Sequence, residues 1–298
     1  MKVDPQCVPC ILAAAYRVAI TVSHDRIERL WLMQIASMEI GRGLNPRVSP
    51  CQLSGQVLEA LNKASGVGDP YRRLKVENNE AALKLLKNVE RKVSEANSPY
   101  HRFRLAAEYS VAANAADYGV FMGDFTYSGD LEEQLDRFLE KGLALDEIDL
   151  FYDYASRGGS LLYLLDNCGE IVFDSLLIRI LKEMGCKVTA VVKGRPCLND
   201  ATMLEALEVG LDGIADLLIS TGEGTCGLGL PDMSSELKRA LKESDLIVSK
   251  GQANYEDLSE IEGTLNGVIV YLLVAKCRLI ARDLGVDEIG ASIAKCIV

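Results

Sequence analysis

After Ser156-Arg157-Gly158-Gly159 the chain alternates short apolar runs with helical stretches, and this alternation restricts its fold more than any other feature. The apolar runs are Leu161 to Leu165, Lys187 to Val192, Leu217 to Ser220, Leu246 to Ser249 and Val268 to Val274. Between them lie Phe173 to Met184, Ala201 to Val209, Ser234 to Lys242 and Tyr255 to Ile261. Strands that take turns with helices form βαβ units, and βαβ units build a mostly parallel sheet with helices on both faces. The fold class expected is therefore α/β.

The first half reads differently. Ile11 to Ala19, Asp25 to Ile40, Ala81 to Ala96 and Tyr100 to Asn114 carry apolar residues at three- and four-residue spacing, which predicts helices. Ser49-Pro50 and Gly66-Val67-Gly68-Asp69-Pro70 punctuate them. Asp130 to Lys141 is a further helix, stopped by Gly142. The organisation expected is an all-helical N-terminal or cap part over 1–150 and an α/β part over 151–298. Ile148 to Tyr154 fits either.

Charge narrows the partners. The formal net charge is −11. An acidic surface argues against nucleic acid, whose phosphates need clustered Lys and Arg. A small phosphorylated metabolite needs only a local basic pocket or a metal. No stretch reaches the roughly 18 apolar residues of a membrane span, and Met1 to Pro5 opens no signal peptide, so the expectation is a cytoplasmic protein that binds no membrane. Composition gives no oligomeric state.

In open parallel sheets ligands bind beyond the carboxyl ends of the strands. After the first strand comes Asp166-Asn167-Cys168-Gly169-Glu170. After the second come Lys193-Gly194-Arg195-Pro196 and then Asn199-Asp200. After the third comes Thr221-Gly222-Glu223-Gly224-Thr225, and after the fourth Lys250-Gly251-Gln252-Ala253-Asn254-Tyr255-Glu256. Hard oxygen ligands, cations and glycines thus share one rim. Asp and Asn oxygens suit Mg²⁺ or Mn²⁺. The only histidines, His24 and His101, lie in the helical half, which disfavours a His-based zinc site or a Ser-His-Asp triad at the rim. A metal with few protein ligands polarises a phosphoryl group and acidifies an attacking water. Lys250 is placed to neutralise a phosphate oxygen, and the loop from Gly222 to offer backbone N–H donors.

Each element of this reading has a structural alternative. Asp166 and Asp200 are both placed to cap the following helix. Glu170 and Asp174 suit a helix N-terminus and its dipole. Lys193 and Arg195 read as phosphate binders or as a solvated loop. Asn114 and Asp117 share a helix face inside the apolar stretch Val111 to Val120, which turns them toward a site or marks a helix end at Gly119. Gly222-x-Gly224-x-x-Gly227 matches a dinucleotide fingerprint only formally, because Leu228-Gly229-Leu230-Pro231 separates the glycines from the next helix.

Taken together, Asp166-Asn167-x-Gly-Glu, Lys193-Gly-Arg-Pro-x-x-Asn199-Asp200-Ala-Thr, Ser249-Lys250-Gly-Gln-Ala-Asn254-Tyr-Glu256 and Asn114-x-x-Asp117-Tyr-Gly resemble the damage-control phosphatase family, long catalogued as a domain of unknown function. The likeness runs nearly end to end. With Cys7-Val8-Pro9-Cys10 it is similar to the prokaryotic subgroup marked by an N-terminal CxxC. The resemblance implies a helical N-terminal part, a Rossmann-like C-terminal part, and metal-dependent hydrolysis of small phosphomonoesters such as sugar phosphates or damaged phosphorylated metabolites. It implies metal ligands at Asp166, Asn167 and Asp200, and a divalent metal drawn from Mn, Mg, Co and Ni. It implies a phosphate pocket lined by Asn114, Asp117 and Lys250, to which the rim loops add Gly222 and Asn254. Asp166, Asp200 and Lys250 are then the catalytic residues. A variant makes Asp166 a nucleophile forming an aspartyl phosphate, but Cys168 stands where that chemistry wants a second acid.

Nine cysteines are read mainly as buried small hydrophobes, Cys51, Cys186 and Cys226 among them. Cys7 and Cys10 alone have a spacing that suits a soft metal or redox chemistry, with Cys277 and Cys296 as candidates to complete a site. The rival functions are therefore a metal- or redox-sensing binding protein centred on the CxxC, and a methyltransferase. S-adenosylmethionine wants an acid ending the second strand to hold its ribose, where this chain has Val192-Lys193-Gly194.

Overall fold

The computed structural model describes residues 1–115 and 131–298. Asp117 and Gly119 lie outside the described residues. In chain order the helices of the first half are α1 (Cys7–Val22), α2 (Arg26–Gly43), α3 (Pro50–Ser65), α4 (Arg72–Ser94), α5 (Pro99–Ala115) and α6 (Leu131–Lys141). There follow β1 (Leu145–Asp146), α7 (Ile148–Ala155), β2 (Gly159–Leu164), α8 (Glu170–Glu183), β3 (Cys186–Val192), α9 (Met203–Glu208) and β4 (Leu217–Ser220). The chain closes with α10 (Ser235–Glu243), β5 (Leu246–Lys250), α11 (Gly251–Leu258), β6 (Val268–Val274), α12 (Arg278–Leu284) and β7 (Ser292–Ile297).

Local chemistry explains the boundaries. Asp25 accepts a hydrogen bond from Glu28 N to start α2. Helix α3 is the one helix of the first half that apolar spacing did not predict, yet its ends are written in the chain. Ser49 and Gln52 form a reciprocal capping box, Pro50 occupies the first turn, and Gly66 ends the helix in the left-handed conformation. Helix α11 begins at Gly251, four residues earlier than expected.

The seven strands are ordered β1-β7-β6-β5-β2-β3-β4. Among the described residues only the β6–β7 pair of strands is antiparallel, with Val274 opposite Ser292 and Ile269 opposite Ile297. The five predicted strands are all present, and the sheet is mostly parallel as expected. Strands β1 and β7 and helix α12 are additions that the sequence reading did not contain. From β2 the chain winds outward through β3 to β4, then returns to the other side of β2 with β5. The order therefore reverses between β2 and β5, and a crevice opens there at the carboxyl ends.

Two apolar clusters sandwich the sheet. Leu161, Tyr163 and Leu165 face one with Phe103, Ala107, Phe151, Phe173 and Ile178. Leu162 and Leu164 face the other with Leu237, Tyr255, Tyr271 and Ile280. Helix α5 packs on α8 and β6, so residues from before position 150 help build the core beneath the sheet. A third cluster joins α1, α2 and α3 to Cys197 and Cys226 of the rim loops and to Leu279 of α12, which seats these helices over the crevice. Among the described residues no helix is long and apolar enough to cross a membrane.

Candidate active site

The loops after β2 and β3 are zipped together by their backbones. Ala201 N donates to Asp166 O at 2.8 Å and Cys168 N to Asn199 O at 2.9 Å, while Asn167 and Asp200 form an isolated bridge. Neither aspartate caps a helix. Gly169, at φ 85°, is the N-cap of α8. Thr202 caps α9 in a capping box with Glu205. Both carboxylates are buried without serving a helix terminus, which removes their structural alternative.

The side chains fix one another. Asn114 Nδ2 donates to Asp166 Oδ2 at 3.2 Å and to Glu170 Oε2 at 2.9 Å, and its Oδ1 accepts from Val274 N at 3.0 Å. Asn167 Nδ2 donates to the same two carboxylates, at 2.8 and 3.0 Å. Glu170 is held ionised and only accepts, so the amide nitrogen of Asn167 must face it and its Oδ1 must face away. Asp166 Oδ1 is buried and has no hydrogen-bond partner. Burial, then Asp200 and Glu170, push the Asp166 carboxyl well above its ordinary range. A carboxylate oxygen without a donor, an amide oxygen turned outward and a second carboxylate form a hard, anionic donor set that fits Mg²⁺ or Mn²⁺. Among the described residues no group of three or more His, Cys, Asp and Glu is placed to hold a metal. An ion bound here would therefore complete its shell with water or substrate oxygens.

The cation beside these carboxylates is Lys193. Its Nζ lies 3.9 Å from Asp166 Oδ1 and 4.0 Å from Asp200 Oδ2. It is buried, and it donates to Asn254 Oδ1 at 2.5 Å and Gly227 O at 3.2 Å, so it belongs to no solvated loop. Arg195 does behave as the solvated alternative proposed, pairing with Glu59 and Glu223 at the surface.

Lys250 departs from expectation. It does not line the cavity; its Nζ is fully buried, 2.9 Å from Glu170 Oε1 and 3.2 Å from Asp174 Oδ1, and it donates to Ser110 O at 2.7 Å. Glu170 and Asp174 are accordingly counter-ions of Lys250 rather than servants of the α8 dipole. Burial raises the Asp174 carboxyl to about 6 despite Lys250 beside it. Burial acts on Glu170 too, but Lys250 and the two asparagines outweigh it and hold that carboxyl below its usual value. Asn254 is also a support: its Nδ2 donates to Leu165 O and Lys250 O. Gly222 is not in the cavity either. It packs against Gly194, where a Cβ would collide with the Gly222 backbone. Gly251, by contrast, is essential to the site. At φ 74° it starts α11 so close to Asp166 that any Cβ would overlap the carboxylate.

Asp166, Asn167 and Asp200 sit in a cavity of about 270 Å³. Its wall also carries Cys7, Cys10, Cys51, Cys277 and the Cys197–Cys226 pair. Cys226 is thus bonded to Cys197, Cα to Cα 5.8 Å, and is not the plain hydrophobe expected. Cys296 is excluded from any site with Cys7, because β7 runs antiparallel and puts Cys296 opposite Val270, near the start of β6. The sequence reading missed the positioning part of Glu170, although its place three residues after Asn167 in Asp-Asn-x-Gly-Glu was the available signal.

Comparison with known proteins agrees with this architecture. The profile of the damage-control phosphatase ARMT1-like domain matches residues 3–291. A protein of Archaeoglobus fulgidus named damage-control phosphatase is 35% identical over 297 residues, 100% of both chains. A Pyrococcus horikoshii protein, also named damage-control phosphatase, is 30% identical, covering 97% of this chain and 96% of its own. The crystal structure of a DUF89 family protein from Pyrococcus horikoshii superposes with a TM-score of 0.86 at 29% identity, over 99% of this chain and 98% of that one. A match over almost the whole length, joined to the same overall architecture, means that the chain belongs to the damage-control phosphatase ARMT1-like family.

Proposed function

We propose that this protein is a metal-dependent phosphatase that hydrolyses small phosphomonoesters, sugar phosphates or damaged phosphorylated metabolites among them. The observation that carries the reading is the Asp166–Asn167–Asp200 donor set at the base of the cavity, with Asp166 Oδ1 buried and lacking a donor. A divalent ion held there supplies Lewis acidity, polarising the phosphoryl group and lowering the pKa of a bound water. The chain's own residues do the rest. Asn114 and Asn167 hold the Asp166 carboxylate in one orientation. Lys193, fixed by Asn254 and Gly227, balances the two carboxylates from behind the cavity lining. Helices α1 and α3 cover the crevice and limit water. The N-terminal CxxC supports assignment to the prokaryotic subgroup marked by that motif.

Phosphate release from a panel of phosphomonoesters tests this, with Mg²⁺, Mn²⁺, Co²⁺ and Ni²⁺ and with EDTA and Asp166→Ala as controls. Turnover that needs the ion and disappears in Asp166→Ala is expected. Turnover that survives Asp166→Ala, or no turnover from folded, metal-loaded protein, would overturn the reading. The CxxC-centred rival predicts dependence on Cys7 instead. It gains interest because Cys7 and Cys10 line the same cavity, but burial raises the Cys7 thiol to about 11, which makes it a poor nucleophile.

A further inference from the structure

Helix α2 is apolar on two opposite faces. Its inner face, Leu32, Ala36 and Ile40, is buried in the cluster shared with α1 and α3. On the other side Ile27, Leu30, Trp31 and Met38 recur at three-, four- and seven-residue spacing, which aligns them in one stripe. They are 65, 53, 46 and 47% exposed. Gln34 and Gly41 complete the stripe, and both are exposed. A helix that is apolar all round is ordinarily a buried one, yet this one meets solvent along half of its surface.

The size and chemistry of the stripe indicate what would cover it. Its four large side chains leave roughly 450 Å² of apolar surface, the size of a functional patch on a monomer and over half of the ~800 Å² per partner that a stable interface buries. Interface centres are enriched in Trp, Met and Arg and poor in Lys. The stripe holds the single Trp of the chain and Met38, Arg26 and Arg42 lie on its edges, and α2 contains no Lys. At a net charge of −11 two copies repel each other, but on α2 Arg26, Arg29 and Arg42 balance Asp25, Glu28 and Glu39, so charge does not oppose contact there. A membrane surface is the poorer occupant. An interfacial helix sets a Lys- and Arg-rich face opposite its apolar one, whereas the opposite face of α2 is the buried Leu32, Ala36 and Ile40.

We propose that the outward face of α2 is a homodimer interface, with α2 packed antiparallel on α2 of a second copy about a two-fold axis near Gln34. The stripe is self-complementary in that register, as a two-fold interface must be. Leu30 of one copy meets Met38 of the other, and the Met38 sulfur lies beside the Trp31 ring. Ile27 of one copy meets Gly41 of the other, where a Cβ would find nothing within 4 Å in its own chain. Antiparallel packing also sets the two helix dipoles in opposition, which is favourable. The pairing requires nothing of the phosphatase chemistry.

Sedimentation velocity of the full chain from about 1 to 100 μM tests this, since a dimer forms by mass action. The expected species at high concentration has twice the 32.5 kDa of one chain. Trp31, the single tryptophan, reports the same event, its emission moving to shorter wavelength as the dimer forms. Leu30→Glu buries a charge at the interface in both copies and is expected to weaken association at least a hundredfold, with an unchanged circular dichroism spectrum. Leu83→Glu on α4, at a side chain 40% exposed, is the matched change elsewhere and should leave the dimer intact. Dilution of the unmodified protein needs no variant, so the Trp31 signal decides even if Leu30→Glu misfolds. A monomer at every concentration, a dimer that survives Leu30→Glu, or a dimer that forms without a Trp31 shift overturns the proposal. A monomer whose Trp31 emission shifts only on adding phosphatidylcholine vesicles overturns it too, in favour of a membrane surface.

Discussion

Replacing Lys250 by Met removes an ammonium group that touches Glu170, Asp174 and the Ser110 carbonyl, all within 3.2 Å and all fully buried. Met fills most of the volume, so the loss is electrostatic. Breaking a buried ion pair from one side costs about 3–5 kcal/mol, because it strands the opposite charge in a medium that cannot solvate it. Here two carboxylates are stranded, and the upper part of that range applies. At roughly 2–4 °C per kcal/mol for a large domain, the melting temperature should fall by about 10 °C. The penalty carries a pH signature. Without the ammonium group both carboxyls protonate at higher pH in the folded state, so the variant loses stability as pH rises through those values and the deficit is larger at pH 8 than at pH 5. Urea denaturation at the two pH values measures this, and Lys250→Met combined with Asp174→Asn should cost less than the sum of the single changes. An unaltered melting temperature accompanied by a tenfold rise in KM would refute the reasoning, since it would mean that Lys250 reaches the substrate.

Further outcomes follow from the same geometry. Glu170→Gln loosens the amide orientation of Asn167, and metal affinity measured by calorimetry should fall roughly 10–100-fold; an unchanged affinity would show that Glu170 does not set that orientation. Glu256, raised by burial to about 7 from 4.5, contributes stability that is complete below pH 4.5 and lost as pH rises to 7, at most about 3 kcal/mol. In EDTA, Glu256→Gln should abolish that slope, and identical pH profiles for variant and parent would contradict it. Phe103→Ala, at a fully buried ring packed on Phe151, should cost about 3–5 kcal/mol, read as a lower urea midpoint. Cys7→Ser should leave metal-dependent phosphate release largely intact, and its loss would move the chemistry to the thiols.

The strand–helix alternation was enough to place the five strands β2 to β6, because apolar run length and turn residues act within a few residues of one another. It also placed Asp166, Asn167 and Asp200 on one rim, since a parallel sheet aligns its carboxyl ends. Strands β1 and β7 were not legible. Leu145-Asp146 has only two residues, and Ser292 to Ile297 becomes a strand only because β6 offers it an edge. Cys277 was named beside Cys7 and Cys10 from the sequence, but that Cys51 joins them around one cavity was not legible, because it depends on how α1 and α3 seat over the loops.

The two lysines show where the sequence by itself stops. Val192-Lys193-Gly194 and Ser249-Lys250-Gly251 carry the same local signal, a lysine and a glycine at the end of an apolar strand. In the folded sheet Lys250 is in phase with Leu246 and Val248 and points toward α5 and α8, where Glu170 and Asp174 hold it. Lys193 is in phase with Val191 on the other face and turns to Asp166, Asp200 and Asn254. Strands covered on both sides are apolar throughout, so no alternation along the chain tells which face a residue takes. The sequence determined which residues reach the rim; the face each lysine occupies, and hence which of them meets the site, was decided only when the strands paired and the helices closed over them.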